Sequence, residues 1–156
     1  GQKMDSALIN PIINATLNVL KTMASVSSRA GKPYLKVDDV ACGDVTGVIG
    51  MTGEANGTIS VTFDEGSILK IVSNLFGEEM TDLNGDVTDA VGELTNMISG
   101  QARRELEEAG RLFNGAIPSV ITGKNHRISH ITRGPIIAIP FQTEAGQFTL
   151  EVCLES

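Results

Sequence analysis

Hydrophobic residues change period several times along the chain, and each change marks an element. In DSALINPIINATLNVLKTMASV, from residue 5, Leu8, Ile12, Ala15 or Thr16, Val19 and Met23 recur at helical steps, giving one apolar face. Pro11 fits two starts: Asn10 as N-cap with proline at the first helical position, or a helix that already begins at Asp5. Gly31-Lys32-Pro33 is the expected stop. From Tyr34 to Phe63 the period falls to two. Ile59, Val61 and Phe63 alternate with Thr58, Ser60 and Thr62, which predicts a half-buried strand. Val45, Gly47, Ile49 and Met51 predict a looser strand before it, and Glu54-Ala55-Asn56-Gly57 supplies hairpin turn residues. Residues 35–42 are a weaker strand candidate.

At DEGSILKIVSNLFGEEM the helical period returns, with Asp64 as the expected N-cap and Gly77 as the stop. A second helix follows a polar connection over 81–85. Val87, Val91, Leu94, Ile98, Ala102, Leu106 and Ala109 form its apolar stripe, and Gly110 ends it. Strands are then expected over 117–122, 127–132, 136–141 and 147–154, with Glu144-Ala145-Gly146 as a hairpin loop. No linker divides the series. The order predicts one α+β domain over 1–156, a largely antiparallel sheet with one face covered by about three helices.

The stretch DAVGELTNMISGQARREL carries more than a helix requires. Asp89, Glu93, Asn96, Gly100 and Arg103 are separated by four, three, four and three, so they share one face beside the apolar stripe. Gly92 and Gly100 each cost such a helix about 1 kcal/mol relative to Ala. Close packing, or close approach by a ligand or partner, would offset that; a solvated face with packing glycines is the ordinary alternative. Glu93 could accept from a partner's Lys ammonium. Asn96 offers a donor and an acceptor, enough to hold one water in a chosen orientation. Phosphoryl transfer needs little beyond an aligned nucleophile and neutralised charge. An acid and an amide one turn apart therefore suit a helix that brings water to another protein's phosphoryl group.

Composition narrows the rest. A net charge of −7 without a Lys/Arg cluster argues against nucleic-acid and anionic-membrane partners. No run of eighteen apolar residues occurs, and no basic segment leads into an apolar one, so a cytoplasmic protein is expected. Cys42 and Cys153 read as two buried reduced thiols. His126 and His130 have a zinc-like spacing only on a helix, and their flanks favour strand or loop, so surface histidines are expected. Gly43, Gly47, Gly50, Gly53 and Gly57 lack a following GK[ST] and read as bulges and turns rather than a phosphate loop. Arg103 and Glu107 are spaced for an i,i+4 ion pair at a solvated helix end.

Asp89, Glu93 and Asn96 on a helix, with Pro118 some twenty residues on, resemble the signature of the CheC/CheX/FliY family of chemotaxis phosphatases. VGELTNMISGQA and INPIINATLNVLKTM are especially similar to the CheX branch, and the likeness runs over nearly the whole chain. The resemblance implies a CheC-like fold and an enzyme that dephosphorylates a CheY-like response regulator. It gives Glu93 the role of engaging the regulator's lysine and Asn96 that of positioning the attacking water. Asp89 and Pro118 complete the signature; Asp89, Gly100 and Arg103 are expected at the partner surface. No cofactor is expected on this chain, and Mg2+ would belong to the regulator. The segment before Glu54 contains no Glu, so a second acid-amide pair is missing from the first helix; Asn10, Asn14 and Asn18 stand there without one. That favours the single-site type, which implies a homodimer formed partly by strand pairing. The rival expectation is a non-catalytic adaptor of the same fold, binding a receiver domain or a flagellar-switch component.

Overall fold

A computed structural model describes residues 6–128 and 134–155. Among them are three helices, α1 (Ser6–Ala24), α2 (Glu65–Phe76) and α3 (Gly85–Glu108). Eight strands form one sheet: β1 (Ser28–Ala30), β2 (Tyr34–Lys36), β3 (Val45–Gly53), β4 (Gly57–Phe63), β5 (Phe113–Gly115), β6 (Ser119–Thr122), β7 (Ile136–Thr143) and β8 (Gly146–Leu154). The order is β1-β7-β8-β4-β3-β5, with β2 also on β7 and β6 also on β3, and every pairing is antiparallel.

Cross-strand register builds the core. Ile49, Ile59, Val152 and Ile137 form one continuous rung, and Val61, Leu150 and Ile139 form the next. Phe63, Phe148 and Phe141 make a third, with ring centroids 5.2 and 4.7 Å apart. Helices α1, α2 and α3 bury their apolar faces in the same core. Helix α1 takes the earlier of the two starts, so Pro11 lies inside it. It stops well before Gly31. Ser25 adopts a left-handed φ of 53°, and the Val26 N–H donates to Leu20 O at 3.0 Å, closing the last turn and freeing 28–30 for β1. Two of its asparagines face α3: Asn14 Nδ2 donates to Glu105 Oε1 at 3.4 Å and Asn18 Nδ2 to Gln101 Oε1 at 2.9 Å.

Several expectations need correcting. Strand β4 is buried on both faces, although its Thr/Ser alternation predicts a wet side. Segments 37–44 and 123–128 run across that far face: Ala41 N donates to His126 O and Ile128 N to Asp39 O, both at 2.8 Å, and Val40 bridges Arg127. Beneath them Thr46 Oγ1 bonds Thr62 Oγ1 at 2.7 Å, and Lys36 Nζ pairs with Glu151 Oε2 at 2.8 Å in a nearly dry setting. His126 is therefore half-buried, bonded to Thr46 Oγ1 and Gly123 O, rather than a surface residue. Of the strand expected over 127–132, Arg127 makes only the isolated bridge; the rest, from 129, and His130 lie outside the described residues. Cys153 is buried but Cys42 is exposed, because residue 42 lies in the covering segment and not in the core. Asp64 stands at the N-cap of α2 without a side-chain cap bond; Asp44 Oδ2 accepts from Glu65 N instead, at 2.8 Å.

Helix α3 is placed by its cap and by one contact. Asn84 Oδ1 accepts from Val87 N at 3.0 Å, satisfying an otherwise free donor of the first turn. At Gly47 of β3 an added Cβ would run into Thr95 Oγ1 and lie 3.3 Å from Val91 Cγ1. Glycine is what lets the helix come down on the sheet there. Gly47→Ala should lower stability by about 1–3 kcal/mol through overpacking, and Asn84→Ala by about 1 kcal/mol through the lost cap. Urea unfolding checks both; a Gly47→Ala midpoint equal to the parent's would mean that the helix-sheet contact is slack.

Candidate active site

The buried stripe of α3 runs through Val87, Ala90, Val91, Leu94, Ile98, Ala102 and Leu106. Burying it turns Asp89, Glu93 and Asn96 outward, and all three are exposed. Strand β6 lies beside the helix because it pairs with β3 at Val45↔Thr122 and Gly47↔Val120. An open cleft runs between the two. Thr88, Asp89, Gly92, Glu93 and Asn96 form its helical wall. Pro118, Val120 and Thr122, alternate residues along the segment that holds β6, form the other. The four signature positions 89, 93, 96 and 118 are thus brought together across one groove.

Among the described residues, Asp89, Glu93 and Asn96 make no side-chain hydrogen bond or ion pair. A carboxylate and a carboxamide one turn apart are left with their full capacity toward solvent or a partner. Nothing among the described residues uses them. By contrast, Thr88 Oγ1 is tied to Gly85 O at 3.0 Å.

Gly100 and Arg103, on the same line in sequence, do not line the cleft. Arg103 is half-buried; its Nε donates to Ser99 Oγ at 3.4 Å, and its guanidinium lies so close to Gly115 that an added Cβ there would be 2.8 Å from Cζ. The expected Arg103–Glu107 ion pair is not formed among the described residues, because the guanidinium is laid across β5 instead. Arg103 therefore fastens the C-terminal half of α3 to the sheet edge. Gly100 sits under the ends of the Arg103 and Arg104 side chains. A line spaced four, three, four, three drifts around the helix by its last turns, and here the drift carries the fourth and fifth members out of the groove.

Sequence reasoning missed Thr88, Val120 and Thr122, and left Gly92 without a place in the site. The alternation of Pro118, Val120 and Thr122 was available to find the far wall. Which face of that strand would meet α3 depended on β6 pairing with β3, a contact across more than seventy residues. Among the described residues no three His, Cys, Asp or Glu side chains are grouped to hold a metal ion, and no helix is long and apolar enough to cross a membrane.

Known proteins resemble this chain over nearly its whole length. The model of the family described as chemotaxis phosphatase CheX matches residues 45–142, a stretch that contains both walls of the cleft. The CheY-P phosphatase CheX of Thermotoga maritima is 26% identical over 155 residues, 98% of this chain and 99% of that protein. The crystal structure of chemotaxis protein CheX from Desulfovibrio desulfuricans is similar with a TM-score of 0.88 at 52% identity, over 95% of this chain and 99% of that one. CheX of Borrelia burgdorferi, solved as a complex with CheY, BeF3 and Mg2+, is similar with a TM-score of 0.81 at 25% identity, over 99% of this chain and 100% of that one. With α3, β6 and the cleft between them inside the matched segment, the chain belongs to the CheX family of chemotaxis phosphatases.

Proposed function

We propose that this protein hydrolyses the aspartyl phosphate of a CheY-like response regulator, presenting α3 to the phosphorylated site. Glu93 docks on the regulator's lysine, and Asn96 holds the attacking water. The supporting observation is that both side chains stand exposed and unbonded on one rim of a groove, one helical turn apart. Asn14, Asn18 and Arg103, by contrast, are bonded within the fold.

The chemistry divides between the two proteins. The regulator brings the phosphoryl group and Mg2+, which neutralises its charge. Asn96 accepts one hydrogen of a water and leaves an oxygen lone pair directed at phosphorus. A P–O bond forms to that water as the bond to the aspartyl oxygen breaks; the aspartate leaves as carboxylate, and the water's proton passes to the phosphate or to solvent. Alignment and exclusion of unproductive orientations are the amide's contribution. Glu93 contributes a charge-assisted contact to the lysine ammonium, fixing the helix over the phosphate. Asp89, one turn earlier on the same rim, extends the docking surface. Such a protein works in the cytoplasm. We assign it a homodimer that uses the outer edge of β2, where Tyr34 and Leu35 are about half exposed.

Asn96→Ala should slow hydrolysis at least about 100-fold while binding the regulator nearly as well, because alignment is lost and the anchor is kept. Glu93→Ala should weaken binding about 10- to 100-fold, the worth of one charge-assisted hydrogen bond. Both are read from the decay of a phosphorylated CheY-type receiver and from titration of the same receiver carrying beryllofluoride and Mg2+. Parent protein that binds the receiver without accelerating decay would instead establish an adaptor.

A further inference from the structure

Gly92 is buried, yet nothing among the described residues requires a glycine there. It lies in the middle of α3, where glycine is the least favourable residue after proline. Its φ is not in the left-handed range, unlike those of Gly53, Gly77, Gly110, Gly123 and Gly146, so backbone conformation does not require it. Packing does not require it either. An added Cβ would meet Val120 Cγ2 at 3.5 Å, an ordinary van der Waals contact, and nothing else within 4 Å among the described residues. Gly47, one layer below, is the opposite case, since a methyl group there would collide with Thr95. What a side chain at position 92 would do is stand in the cleft, one turn from both Thr88 and Asn96 and against the far wall at Val120.

Resting on the function proposed above, we infer that the side chain missing at Gly92 keeps the cleft deep enough to admit the receiver's surface. Gly92 itself is buried, so the receiver's surface seats on Val120 and in the part of the cleft that a side chain at position 92 would fill. The missing side chain sets the depth of docking. With Glu93 and Asn96 standing on the rim, a partner held off by one methyl group would leave the amide short of the phosphate. Glycine at this position is therefore a positioning residue for the reaction, acting through closeness of approach.

Three variants test this. Gly92→Ala and Gly92→Leu both favour the helix and place progressively more bulk in the cleft. Gly66→Ala, in the first turn of α2 where an added Cβ meets nothing within 4 Å, is the control for helix propensity alone. Gly92→Ala and Gly66→Ala should melt at or slightly above the parent temperature, and Gly92→Leu, which crowds Val120, somewhat below Gly92→Ala but still cooperatively folded. Affinity for a receiver carrying beryllofluoride and Mg2+ should fall about tenfold in Gly92→Ala and further in Gly92→Leu, with Gly66→Ala unchanged. Decay of the phosphorylated receiver should slow in the same order. Gly92 variants that are stable and bind like the parent overturn the inference and leave the proposed function standing. A Gly92→Ala protein that melts well below the parent also overturns it, because internal packing would then account for the glycine. A parent protein with no affinity for any phosphorylated receiver tested removes the proposed function itself.

Discussion

Everything at the cleft depends on how closely α3 approaches β3, and one missing methyl group sets that distance. Gly47 lies beneath Thr95 and Val91, so the helix rests on the sheet backbone there and not on a side chain. The same residue pairs with Val120 of β6, so the strand that forms the far wall is hydrogen-bonded to the strand on which the helix rests. Helix, sheet and second wall are registered to each other through a single rung. Asn84 at one end of α3 and Arg103 over Gly115 toward the other hold the helix along that seat. Outward-facing residues on a helix so constrained have little freedom of position, which is what alignment of a nucleophile demands.

Rigidity here serves a surface, not an enclosed pocket. A cleft that is open to solvent, with an acid and an amide standing on its rim unbonded, has the form of half an active site. In the function proposed above, the other half, with its charge and its metal, arrives with the partner. That division accounts for the economy of the chain. Other polar side chains are bonded internally, as in the Lys36–Glu151 pair and the Thr46–Thr62–His126 set on the far face of the sheet, whereas the Thr58 and Ser60 hydroxyls are buried there without a partner among the described residues.

Local signals were readable in the sequence where they reside in neighbouring residues. The three helices, the β3–β4 and β7–β8 hairpins and the stop at Gly77 follow from period and turn chemistry alone. The relation of Asp89, Glu93 and Asn96 follows from helical spacing. What was not legible depended on distant contacts. Burial of Thr58, Ser60 and Thr62 comes from covering segments elsewhere in the chain, so alternation gave the wrong exposure for one face of β4. The seat of the Arg103 guanidinium against Gly115, twelve residues on and in strand β5, was likewise not readable from helical spacing. Ser25 ended α1 with a left-handed turn that its residue type does not announce. Gly92 was visible as a cost, and only the distance to Val120 showed that packing does not explain it.

The most direct measurement is a crystal structure of this protein bound to a CheY-type receiver loaded with beryllofluoride and Mg2+. The expected result has α3 over the beryllofluoride, with a water within roughly 3 Å of the Asn96 carboxamide and on the far side of beryllium from the aspartate. Glu93 should lie within about 4 Å of the receiver's lysine nitrogen. A complex in which the receiver docks elsewhere, or in which the Asn96 amide is bonded to receiver main chain with no water before the beryllium, would contradict the account.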